Sequence, residues 1–189
     1  MLANYIRSLL QALSHCHAHG VVHGDIKPEN IMIDQNNQIQ LIDFNVFSKA
    51  TFSDKKSTSE ATETVTSTMS LANKDRLPYY LAPEVILNDG RTSSKSDIWS
   101  VGVLLYTLVC GYQPFQGNSV DEITEKIRRA DYHFRHAEFG SVSPKCKDLI
   151  RKLLVTNPQH RLSCNEALSH PWFVGRRRES RVFSEIDVD

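Results

Sequence analysis

The 189-residue chain has no excess of charge of either sign: Lys plus Arg and Asp plus Glu number 22 each. No global field therefore argues for nucleic acid or an anionic membrane as a partner. It has four cysteines, Cys16, Cys110, Cys146 and Cys164, without a C-x-x-C pair. That usage favours free thiols in a reducing compartment over disulfides or zinc. Long apolar runs are also missing. The longest, Ile98 to Cys110, is too short to span a bilayer and is interrupted by Ser100 and Gly102. The amino terminus, MLANYIRSLLQALSHC, is broken by Asn4, Arg7 and Gln11 and lacks the unbroken apolar core of a signal peptide. No internal repeat is visible. What these absences leave is one intracellular domain, cytoplasmic or nuclear, with an ordinary hydrophobic content of 40%.

The elements follow from periodicity. Leu2, Ile6, Leu9, Leu10 and Leu13 recur at three- and four-residue steps and predict a first helix with one buried stripe. After Gly20 come short β-branched stretches at 21–23, 30–33 and 38–43. The last two flank Asp34-Gln35-Asn36-Asn37, a polar turn that predicts a hairpin. Residues 51–70 hold eleven Ser or Thr among twenty. They bury too little apolar surface to offset the entropy of ordering, and so predict a disordered insertion. The run SDIWSVGVLLYTLVC, 96–110, is apolar on nearly all sides and stops at Gly111, which places a helix in the middle of a core. Three amphipathic helices are predicted after it. Ser119 with Glu122 reads as a capping box, Ser143-Pro144 starts a helix burying Cys146, Leu149, Ile150, Leu153 and Leu154, and Ser163 with Glu166 caps the last.

The stretch that carries chemistry is VVHGDIKPENIMID, residues 21–34, with one acid at Asp25, Lys27 two positions on and Asn30 five positions on. In chain order it is followed by DFN at 43–45, APE at 82–84, SDIWSVG at 96–102, and Arg161 within NPQHRLS at 157–163. This series resembles the eukaryotic protein kinases of the Ser/Thr type, over essentially residues 1–174. The fold the resemblance implies is the carboxy-terminal lobe: mainly α, with a small β-hairpin at the catalytic edge and the amino-terminal β lobe absent. PFQGNSVDEITEKIRRADYHF and the ending HPWF look most like the calcium/calmodulin-dependent kinase group.

By that resemblance the cofactors are ATP and Mg²⁺, and the substrate is a protein Ser or Thr. Phosphoryl transfer requires an in-line nucleophile and neutralised phosphate charge. The resemblance gives Asp25 the substrate hydroxyl, Lys27 the γ-phosphate, and Asn30 and Asp43 the metal, through hard oxygens. His23 and Asp97 are implied as supports of the loop, with Asp97 accepting its backbone N–H groups. Glu84 and Arg161 are implied as a buried ion pair. His15 and His19, four apart in SHCHAHGVVH, could hold zinc, but the family reading assigns His17 and His23 to packing and loop support.

Four positions depart from the family. Gly24 stands where many kinases have the Arg that receives a phosphorylated activation loop. Asn45 replaces the Gly of the metal-binding triplet, and Asn tolerates positive φ best after Gly. Leu77, in Arg76-Leu77-Pro78-Tyr79-Tyr80, replaces a hydroxyl that braces Asp25 and Lys27. No G-x-G-x-x-G and no strand-borne lysine precede HGD. The expected organisation is a partial kinase domain at 1–174, an activation segment at 46–76, and a polar tail at 175–189. The expected function is protein Ser/Thr phosphorylation. Its alternative is a pseudokinase or truncated isoform that acts as a protein-binding module, with another protein covering the face a small lobe would cover.

Overall fold

The computed structural model describes residues 2–44, 77–88, 90–134 and 137–174. Asn45, the Ser/Thr-rich stretch 51–70, Arg76 and the tail 175–189 lie outside them. The described chain runs α1 (Leu2–Ala18), β1 (Ile31–Ile33), β2 (Ile39–Leu41), α2 (Pro83–Leu87), α3 (Ser94–Cys110), α4 (Val120–Arg129), α5 (Pro144–Leu153), α6 (Cys164–Leu168) and α7 (Pro171–Val174). It is mainly helical, with one two-stranded sheet among the described residues. No helix among them is long and apolar enough to cross a membrane.

Helix α3 is the axis of the core. Every residue from Ser96 to Tyr106 is buried, because a stretch apolar on all faces is satisfied only when other elements surround it. Helices α1 and α5 pack directly on it, while α1 also meets α6, and α5 meets α7. The stripe Ile6, Leu9, Leu10 and Leu13 of α1 is buried, as are Cys146, Leu149, Ile150 and Leu153 of α5. The last turn of α3 emerges from the core, with Leu108 at 53% exposure. Gly111, at φ +86°, then ends the helix in the left-handed conformation that glycine adopts without strain.

The caps explain the boundaries. Ser93 and Ser96 close a reciprocal capping box, so α3 begins two residues earlier than its apolar run suggests. Ser163 and Glu166 form a full box on α6. On α4 the box is only half made. Ser119 accepts from Glu122 N, but the Glu122 carboxylate takes the Asn118 N–H at 2.9 Å instead of that of Ser119.

The hairpin pairs Ile31 with Leu41, Met32 with Gln40 and Ile33 with Ile39, antiparallel. Its turn is built by Asp34, whose Oδ1 accepts from the N–H groups of Asn36 and Gln38, each at 2.8 Å, and by Asn37 at φ +59°. Residues 21–23 form no strand. Their N–H groups go elsewhere, which positions the loop described next.

Gly102 sits where α3 crosses α5. A Cβ there would lie 2.9 Å from both Leu153 Cβ and Leu154 Cδ2. Helix propensity alone favours Ala over Gly by about 1 kcal/mol, whereas overpacking costs roughly 1–3 kcal/mol. Gly102→Ala should therefore destabilise the fold, read as a lower urea midpoint at unchanged m-value. A raised midpoint would show that the two helices have room to separate.

Candidate active site

The loop at 23–30 hangs from one buried carboxylate. Asp97, in the first turn of α3 and 1% exposed, accepts from His23 N at 2.9 Å and Gly24 N at 2.8 Å. It also pairs with His17 Nε2 at 2.8 Å. Two consecutive N–H groups of an extended chain point in opposite directions. Their convergence on Asp97 means that the backbone is not extended at His23, and Gly24 beside it adopts φ +78°, a conformation open to glycine and strained for residues with a Cβ.

His17 carries the support outward, since its Nδ1 lies 3.5 Å from the Sγ of Cys164 on α6. Burial pushes that thiol up to about 12, so it serves as a weak donor to the imidazole and not as a nucleophile. His23, itself buried, has Nδ1 3.3 Å from Asp25 N and Nε2 3.1 Å from the Ile42 carbonyl. Accepting at one nitrogen and donating at the other is the pattern of a neutral ring. Burial favours the same state by lowering the imidazole below its ordinary value, against the raising effect of Asp97.

Two predicted site residues converge on one oxygen of a third. Asp25 Oδ2 accepts from Lys27 Nζ at 2.8 Å and from Asn30 Nδ2 at 2.9 Å, and Asn30 Nδ2 also reaches the Asp25 carbonyl at 2.8 Å. The Asn30 amide nitrogen is thus committed to Asp25, and its oxygen is the end not spent on that carboxylate. Asp43 is brought alongside by the backbone, since Ile42 N donates to Asn30 O at 3.1 Å. Phe44 stacks near His23, with ring centroids 4.5 Å apart. Asp43 is exposed and sits at φ +54°. A non-glycine residue held there is strained, a feature that concentrates at functional sites. An amide oxygen and a carboxylate are hard donors of the kind Mg²⁺ takes, so Asn30 and Asp43 fit that ion chemically.

The remaining predicted residues lie at a second node. Arg161, 1% exposed, places both guanidinium nitrogens on Glu84, Nη1 to Oε1 at 2.7 Å and Nη2 to Oε2 at 2.8 Å. Nη1 also donates to Lys95 O at 2.6 Å, Nη2 to Thr156 O at 3.3 Å, and Nε to Val155 O at 2.8 Å. All five N–H donors of the fork are used. The carbonyl partners are backbone groups, two close by at Val155 and Thr156 and one distant at Lys95, which no side-chain pattern announces. Leu77 is 47% exposed. His15 and His19 lie with ring centroids 4.5 Å apart, and no group of three or more His, Cys, Asp or Glu that could hold a metal occurs among the described residues.

Comparison with known proteins is consistent with this geometry. Residues 1–173 match the protein kinase domain family. CBL-interacting protein kinase 15 of Oryza sativa subsp. japonica is 36% identical over 184 residues, covering 96% of this chain and 38% of the relative. Calcium-dependent protein kinase 3 of Plasmodium yoelii yoelii is 33% identical over 192 residues, covering 100% and 33%. Myosin light chain kinase A of Dictyostelium discoideum is 34% identical over 183 residues, covering 95% and 57%. The chain thus spans between a third and three fifths of the length of these relatives.

Two stability measurements test the nodes. Arg161→Ala and Glu84→Ala should each destabilise by about 3–5 kcal/mol, the scale of one charge left buried alone. The double variant should cost less than the sum, and strict additivity would rule out the direct pairing. Gly24→Ala should cost roughly 1–2 kcal/mol from the left-handed backbone alone. A neutral effect in chemical denaturation would mean that a residue with a Cβ is accommodated at this turn without strain.

Proposed function

The chain belongs to the protein kinase family, with Ser/Thr-type relatives of the calmodulin-dependent-like group, and from that premise we propose that its 23–43 region serves ATP-dependent phosphoryl transfer to a protein Ser or Thr. The observation that carries the reading is the convergence of Lys27 and Asn30 on a single carboxylate oxygen of Asp25.

In this proposal Asp25 orients the acceptor hydroxyl and takes its proton. Lys27 turns from Asp25 toward the transferring phosphate, and Asn30 and Asp43 offer oxygens to the metal. Mg²⁺ and ATP, when bound, supply the phosphoryl group and offset its charge. Asp97, His23 and His17 do no chemistry; they fix where Asp25 sits. Glu84 and Arg161 hold α2, and with it the end of the segment that leads away from the site. Residues 1–174 act as the kinase unit, 46–76 as its activation segment and 175–189 as a polar tail. Four free cysteines suit an intracellular setting, in cytoplasm or nucleus.

A second reading, a binding module without catalysis, is favoured by the hairpin. Met32 and Ile33 are 52% and 51% exposed beside the site, and among the described residues no second sheet stands over them. A small lobe or another protein would cover this apolar face.

One experiment separates the readings. The chain fused to a kinase small lobe is assayed with Mg-ATP and a generic Ser/Thr substrate, beside the 189 residues alone. Phosphorylation by the fusion, reduced about 10²–10⁴-fold in Asp25→Asn and lost in Asp43→Ala, is the expected outcome. The chain alone should be nearly inert, because nucleotide positioning is worth roughly 7–11 kcal/mol. A fusion that folds and binds ATP yet transfers no phosphate would establish the binding module instead.

A further inference from the structure

The support of the 23–30 loop does not end at His17. Its ring is held at both nitrogens, Nε2 on Asp97 Oδ2 at 2.8 Å and Nδ1 at 3.5 Å from Cys164 Sγ. A carboxylate only accepts, so Nε2 supplies the proton of that bond, and Cys164 decides what Nδ1 does. Cys164 is 4% exposed. Burial, with the Asp97 charge acting in the same direction, keeps its thiol protonated. A protonated thiol donates to a nitrogen that keeps its lone pair, as Nδ1 does in the neutral ring, whereas an imidazolium would turn an N–H onto sulfur, a weak acceptor.

Cys164 is itself anchored from two sides. Ser163 and Glu166 close the capping box that starts α6, and Ser14 Oγ of α1 donates to Asn165 Oδ1 at 2.9 Å. That register brings Cys164 to His17. Three residues before it, Arg161 is bound to the first turn of α3 through Lys95, whose carbonyl accepts from Nη1 and whose ammonium donates to the Arg161 carbonyl. Lys95 and Asp97 are two positions apart. The path through Asp97, His17, Cys164, Arg161 and Lys95 therefore closes on itself, and it joins the node that holds the loop to the node that holds Glu84. Its softest step is the thiol, a weak donor that a change of one side-chain atom strengthens or removes.

We propose that Cys164 is a positioning residue of the catalytic loop: its S–H fixes His17, His17 fixes the Asp97 carboxylate, and Asp97 holds the N–H groups of His23 and Gly24 that aim Asp25. The catalytic consequence rests on the reading of Asp25 as the group that orients the acceptor hydroxyl. The bonds are testable without it.

The test reads the bonds by nuclear magnetic resonance in the full, isotope-labelled chain, with no nucleotide or substrate present. In Cys164→Ala the His17 Nδ1 loses its donor, so its resonance should move downfield toward that of an unbonded lone pair, and the amide resonances of His23 and Gly24 should move with it. In Cys164→Ser the stronger O–H donor should bring all three back to, or past, their original positions. A sulfur that merely fills space predicts no such rescue. In the fusion to a kinase small lobe, Cys164→Ala should lower kcat several-fold at unchanged KM for the protein substrate, and Cys164→Ser should restore it. An unmoved Nδ1 resonance in Cys164→Ala, loop amides that stay in place while Nδ1 moves, a serine variant that resembles alanine, or an unchanged kcat would each overturn the proposal. A wild-type fusion that transfers no phosphate would count against the functional reading alone, since the spectra decide the role of Cys164 in the loop without it.

Discussion

The arrangement depends first on the Asp97 carboxylate. It lies in the core, where an ionised group is costly unless its oxygens are satisfied, and it is satisfied by the backbone of the loop that carries Asp25 and by His17. The dependence is mutual. Without Asp97 the N–H groups of His23 and Gly24 would be buried without these partners, and without the loop Asp97 would be a stranded charge. Charge-assisted bonds of this kind contribute about 1.5–3 kcal/mol each, enough to hold Gly24 turned and to fix the direction in which Asp25 leaves the core.

Only two residues away on the same first turn of α3, Lys95 performs a parallel service. Its carbonyl accepts from Arg161 Nη1, and its ammonium returns a bond to Arg161 O at 2.5 Å. Arg161 also lies 5.1 Å over the Trp99 ring, so its guanidinium is covered by an aromatic face as well as ringed by acceptors. The amino-terminal turn of α3 is therefore a junction. Through Asp97 it fixes the loop at 23–30, and through Lys95 and Arg161 it fixes Glu84 at the start of α2. The loop at 23–30 and the start of α2 are held in register by one rigid helix, itself immobilised because it is buried on every side from Ser96 to Tyr106.

Much of this was legible in the sequence, for reasons that differ by feature. The all-apolar run of α3, the stripes of α1 and α5, and the hairpin turn at Asp34 are local patterns, and local patterns survive folding. The spacing of Asp25, Lys27 and Asn30 was legible because a single short loop brings them together. What could not be read were bonds to backbone groups. The Val155, Thr156 and Lys95 carbonyls around Arg161 belong to no residue type, and the approach of Cys164 to His17 spans most of the chain. The half-made cap on α4 also eluded the pattern, because a glutamate three residues after a serine can reach one N–H further back.

The Lys27–Asp25 pair shows how such a site can be both ordered and ready. Its two side chains keep 22% and 17% of their exposure, so water screens the attraction and the pair is held only weakly compared with the Glu84–Arg161 fork, where the guanidinium is fully covered. In the proposed reaction Lys27 must leave Asp25 for a phosphate oxygen, and a partly solvated ion pair gives up little when it exchanges one anion for another. Asn30 does not have to move with it, since it grips the Asp25 carbonyl as well as the carboxylate. The carboxylate thus stays oriented while its cation departs. Within the loop the Lys27–Asp25 bond is the partly solvated, exchangeable one, whereas the bonds of His23 N and Gly24 N to Asp97 are buried, so the loop can be anchored by Asp97 and still release Lys27.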